Sequence, residues 1–154
     1  MKRSLAAVLF ASLAFAGCGS VTDSLNFKAP AGWVATPAIL GRMQVWMKKA
    51  ADNKQDQMLF LIRGQSANMD LKNVPGAGFG TIQSQKQSTI TICGTRRAQY
   101  LSAVAAGRSG EAQSVEMISA AVGDQSYLAM YARPKSSPPD PEAEAAIRSL
   151  CPKS

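Results

Sequence analysis

Between Ser88 and Arg133 the chain holds four β-like runs, separated from one another by three glycine-containing turns. The runs are Ser88–Cys93, Ala98–Ala106, Ala112–Val122 and Gln125–Arg133, and Gly94, Gly107-Arg108-Ser109-Gly110 and Gly123-Asp124 separate them. Alternation with period two puts successive side chains on opposite faces of a strand, and glycine supplies tight reversals. Strands joined so briefly pair as an antiparallel meander. With 154 residues the chain holds one domain of ordinary size, so this meander must be its centre. A hydrophobic share of 46% against 18% charged residues is enough to build a core.

The flanking segments extend the sheet and close it. Met58-Leu59-Phe60-Leu61-Ile62 reads as a strand covered on both faces. Upstream, Ile39, Leu40, Met43, Met47 and Ala50 fit helical spacing, yet Met43, Val45 and Met47 also alternate with Gln44, Trp46 and Lys48. Gly41 weighs against the helix, so a strand is expected over Arg42–Lys48, forming a hairpin with 58–63. A short helix is expected near Ala67–Lys72, then a loop Pro75-Gly76-Ala77-Gly78-Phe79-Gly80. After Pro134 to Pro139, Asp140-Pro141-Glu142 gives cap, proline and first-turn acid in helical order. Ala143, Ala146, Ile147, Leu150 and Cys151 would line the buried stripe of that helix. The expected fold is α+β: an antiparallel sheet of about six strands with a C-terminal helix packed on it.

The N-terminus reads as an address. Met1-Lys2-Arg3-Ser4 is a positive start, Leu5 to Phe15 is apolar or small, and Ala16-Gly17-Cys18 follows. Charge, apolar stretch and small residues in that order make a secretory signal peptide. Eleven residues rise only about 16 Å as a helix, against ~30 Å of hydrocarbon, too short for a permanent span. Residues 1–17 are expected to be removed, 18–26 to form a polar tether, and 27–154 to fold. The formal charge of +7, less the two charges of Lys2 and Arg3, leaves +5 for the mature chain. That excess could rest on anionic headgroups or be scattered over a solvated surface, and the sequence spread favours the second.

Phe15-Ala16-Gly17-Cys18 resembles the lipobox of bacterial lipoproteins, with Phe15 where the family usually has Leu, Val or Ile. The resemblance implies a diacylglycerol thioether and an acylated amine on Cys18. The alternative is cleavage after Ala14-Phe15-Ala16, leaving a soluble protein. The Gly19 that follows the Cys implies, by the same resemblance, sorting to the outer membrane rather than the inner. Three cysteines leave one odd thiol in an oxidising compartment. If Cys18 carries lipid, Cys93 and Cys151 remain as an even pair, expected to bridge rather than stay as separate buried thiols. In Ser88–Cys93, Cys93 shares a face with Thr89 and Thr91, so a bridge would put the helix on the threonine side, unless a bulge at Gly94 reverses it.

Phe27-x-x-Pro30-x-Gly32-Trp33, an antiparallel sheet and a closing helix resemble the PsbP-like fold. That family includes the photosystem extrinsic protein and many small bacterial lipoproteins. The resemblance implies an α/β sandwich that binds partners or assists assembly without catalysis.

A search for chemistry finds little. With no His, imidazole-based hydrolysis and histidine metal sites are excluded. Gly76-x-Gly78-x-Gly80 lacks both the dinucleotide spacing and the Lys-Ser/Thr of a phosphate loop. Glu142 and Glu144 point apart on a helix and cannot act as an acid–base pair. Tyr100 near Arg96 and Arg97 is the only aromatic among clustered cations, which argues against nucleic-acid binding. Met43, Met47, Met58, Met117 and Met130 fall at apolar strand positions, fitting core filling or a pocket for an apolar ligand. The expected protein is a non-enzymatic, membrane-anchored periplasmic lipoprotein without catalytic, metal or cofactor residues, binding a protein partner in the envelope. The second expectation is a carrier of a small apolar ligand.

Overall fold

The computed structural model describes residues 20–49, 55–64, 78–107 and 110–153. Cys18, the expected signal peptide, the helix expected near 67–72 and the first part of the expected loop 75–80 lie outside the described residues. Seven strands form one antiparallel sheet in the order β2-β3-β4-β8-β7-β6-β5. They are β2 Val34–Ala35, β3 Met43–Lys49, β4 Gln55–Gly64, β5 Ile82–Ile92, β6 Arg96–Ala106, β7 Ala112–Val122 and β8 Gln125–Pro134. A helix, α1, covers Pro141–Arg148, and two short strands, β1 Leu25–Asn26 and β9 Cys151–Pro152, pair with each other. The expected sheet of about six strands is thus a sheet of seven, and the β3–β4 hairpin and the meander stand as the alternation indicated.

Register fixes the two ends of the sheet. Met43 opposes Ile62, Ile92 opposes Arg96, and Val122 opposes Gln125. The start of β3, the end of β4 and the β5–β6 and β7–β8 turns therefore share one end. Lys48 and Gln57, paired in the other direction along β3 and β4, mark the opposite end.

Helix α1 begins at that opposite end. Asp140 caps it, accepting from the Glu142 N–H at 2.9 Å, and Pro141 occupies the first turn. Its buried residues Ala143, Ala146 and Ile147 pack on β7 and β8. The helix stops at Arg148, so Cys151 is extended in β9 and not on the helical stripe as expected. The side facing α1 is also the reverse of the expectation. Ile92 and Ile90 belong to the helix-side core, because Cys93 (φ +53°) and Gly94 (φ +77°) turn the chain and end the alternation at Ile92.

The segment from Phe27 to Trp33 runs antiparallel to α1. Lys28 donates its backbone N–H to Ser149 Oγ past the helix C-terminus, and Trp33 reaches Asp140 at the N-cap. The residues before it therefore lie beyond the C-terminal end of α1. There Val21–Ser24 form a 3-10 turn capped by Ser20. Val21 is fully buried and Leu25 nearly so, so these two residues of the expected tether pack into the core. Isolated apolar residues among polar ones carry no periodic signal, so the sequence hid this turn. Among the described residues no helix is long and apolar enough to cross a membrane.

Candidate functional site

The β5–β6 turn and β9 bring the sulfurs of Cys93 and Cys151 to bonding distance, with Cα atoms 5.4 Å apart across 58 residues of sequence. Both elements lie on the helix side of the sheet. The link ties the C-terminus to the meander, and β9 in turn holds β1.

The densest polar arrangement surrounds Asp140. Its Oδ1 accepts from Glu142, and Oδ2 accepts from Trp33 Nε1 at 3.2 Å and Lys48 Nζ at 2.6 Å. Burial opposes ionisation of this carboxyl, but the hydrogen bonds from Lys48, the Glu142 N–H and Trp33 outweigh it and hold its pKa below the ordinary value. The Tyr131 hydroxyl accepts from the Asp140 N–H at 2.9 Å and donates to Gln57 Oε1. Burial, the largest cause, pushes Tyr131 up to about 12. These hydrogen bonds join β3, β4, β8 and the start of α1 to one another, with the Lys48 ammonium at the exposed margin.

A second polar pair sits on the same side. Tyr100 donates to Glu116 Oε2 at 2.8 Å while the Arg148 guanidinium lies 5.3 Å from its ring centroid. Burial, then the Glu116 hydrogen bond, pushes this phenol up to about 12. The Tyr100, Arg96 and Arg97 cluster noted in the sequence thus has its aromatic face taken by Arg148. Among the described residues no three Cys, Asp or Glu side chains gather as a metal set.

The other face of the sheet is a separate apolar surface. Phe60, Ile62, Leu101, Ala103, Val115, Met117, Leu128, Met130 and Ala132 form one buried cluster, joined by Met43, Val45, Met58, Phe79 and Ile82. The structure therefore gathers four of the five methionines named from sequence, and Met117 opposes Met130 directly. Helix α1, the 3-10 turn and Trp33 all belong to the opposite cluster. Strand alternation could assign each methionine to a face. The partners of Asp140 were not legible, because Lys48 and Trp33 are 92 and 107 residues away.

No family model and no curated protein matches this chain.

Proposed function

We propose that the protein is a lipoprotein acylated at Cys18, exported and held on the envelope, whose sandwich-like domain docks a protein partner without catalysis. The observation that carries the reading is the position of the folded unit relative to the lipobox-like Phe15-Ala16-Gly17-Cys18. Its first cap, Ser20, follows Cys18 by two residues, so the chain allows at most about 7 Å between them. A domain set so close to a bilayer suits an envelope assembly. The polar knot around Asp140 supports a non-enzymatic role, since its hydrogen bonds join strands and helix. The PsbP-like likeness is supported by its own residues: Phe27 stacks 5.3 Å from Trp46, Pro30 is buried, and Trp33 meets Tyr131 edge-on at 6.1 Å.

The second reading, an apolar-ligand carrier, is favoured by one observation, the gathering of Met43, Met58, Met117 and Met130 on the face opposite α1. Thioethers adapt to irregular apolar shapes. Two experiments separate the readings. Crosslinked envelopes should yield a reproducible protein partner on affinity capture, and its absence contradicts docking. Native mass spectrometry of the delipidated protein should show the bare polypeptide mass; a co-purifying apolar ligand would favour the carrier.

A further inference from the structure

The end of the sheet that receives the chain from Cys18 carries an exposed apolar tip in a basic setting. Ile39-Leu40-Gly41-Arg42 is a tight reversal, with the Arg42 N–H donating to the Ile39 carbonyl at 3.0 Å. Both central residues have positive φ, Leu40 at 50° and Gly41 at 64°. Turns of this kind favour Asn, Asp or Gly at the first central position, where leucine is strained. Leu40 is also 85% exposed and Ile39 49% exposed, so neither serves the core. The turn closes an Ile39–Met43 bridge at the start of β3 and holds a leucine, in a conformation leucine rarely adopts, out in solvent.

The surroundings show what they meet. The same end holds Arg42 beside the tip, Arg63 near the end of β4, Arg96 and Arg97 at the start of β6, and Lys153 after β9. Lys153 Nζ donates to the Asp23 carbonyl and Arg96 to the Pro152 carbonyl, so both cations are held by neutral acceptors. Among the described residues the acids at this end are Asp23, which accepts from the Ser20 N–H, and Asp124. Glu111, Asp140 and Glu142 lie at the opposite end. The fold thus brings five cations to this end of the sheet, Arg42 at the tip and Arg96 and Arg97 four strands away, while Lys48, Lys49, Arg133 and Lys135 lie toward the opposite end.

We infer that this end of the domain is a bilayer-contacting surface, with Ile39 and Leu40 entering the interface and the flanking cations resting on anionic phospholipid headgroups. The inference rests on the acylated Cys18, whose two-residue reach to Ser20 brings this end to the membrane first. Apolar side chains at the headgroup boundary with Lys and Arg around them gain both area and charge terms.

The test uses the full lipidated protein carrying Leu40→Trp, reconstituted on phosphatidylglycerol-containing vesicles, with Lys135→Trp at the opposite end as control. The residue-40 indole should shift to the blue and be quenched by brominated acyl chains, and the residue-135 indole should do neither. In the chain carrying Cys18→Ser, replacing Arg42 and Lys153 by Gln should weaken adsorption to the same vesicles by about fivefold for each cation removed. A residue-40 indole that stays aqueous on these vesicles overturns the inference. So does an indole buried equally without vesicles, in a dimer, which would make a second copy the occupant. Intact mass of the same sample reports Cys18 separately. If Cys18 is unmodified, selective entry into phosphatidylglycerol vesicles mixed from outside upholds the surface while the anchor falls, and no entry overturns both.

Discussion

Asp140 concentrates more of the tertiary structure than any other polar side chain described here. It is a helix cap, an acceptor for a buried indole and the partner of Lys48, with a side-chain exposure of 7%. Asp140→Ala removes the cap and leaves Trp33 Nε1 unpaired, a loss of about 2–3 kcal/mol. Denaturant unfolding would measure it. The folded-state pKa of Asp140 is lowered, so its contribution is complete above the ordinary carboxyl value of 3.8 and fades as pH falls through the lower folded value. Asp140→Asn should therefore show a shallower loss of stability than wild type as pH falls below the ordinary carboxyl value of 3.8. Tyr100 and Tyr131 work at the other end of the scale. Both folded values are raised from 10.0 to about 12, so their stabilisation is intact below pH 10 and is lost as pH rises through the folded value. Ultraviolet titration should show both phenols ionising well after a free tyrosine, and a single transition for all three tyrosines at pH 10 would contradict this.

Among the elements, the closing of the C-terminus depends on the Cys93–Cys151 link. Joining residues 58 apart stabilises the fold by about 4 kcal/mol in the chain-entropy view. For a domain of this size, Cys93→Ser with Cys151→Ser should lower the melting temperature by roughly 10 °C or more. Calorimetry with and without reductant checks it; an unchanged wild-type melting temperature under reductant would show that the link carries no stability. The legibility of each element followed its exposure pattern. Strands β6, β7 and β8 are half or fully buried, and their bounds were readable within two residues from alternation and glycine turns. Strand β5 was readable only from Ser88, because Gln83 to Gln87 are exposed on both faces at the sheet edge and alternate nothing. The cap Asp140 was legible from its neighbours Pro141 and Glu142, whereas the stop at Arg148 was not. Ser149 there takes three carbonyl contacts with its backbone N–H, a geometry that side-chain pattern does not encode.

On the scale of the whole molecule, the sheet divides the core in two. One side is closed by α1, the 3-10 turn and Trp33, and is fastened by the Asp140 knot and the Cys93–Cys151 link. The other side is the methionine-lined cluster around Phe60, Leu128 and Met130. The fold also brings Arg42, Arg63, Arg96 and Arg97 to the end of the sheet that carries Leu40, although β6 lies four strands from β3. Sequence alone could not show this, because Arg42, Arg63, Arg96 and Lys153 are dispersed along the chain and only strand register unites them. Membrane attachment is the claim on which this arrangement depends. Two or more acyl chains hold a protein firmly on a bilayer, at about 0.8 kcal/mol per buried methylene, whereas one chain binds marginally. The most direct measurement is the intact mass and N-terminal peptide of the protein recovered from membranes. The expected result is a chain beginning at Cys18 with diacylglycerol on sulfur and an acyl group on the amine. A chain beginning at Gly17 with a free thiol, recovered in the soluble fraction, would contradict it.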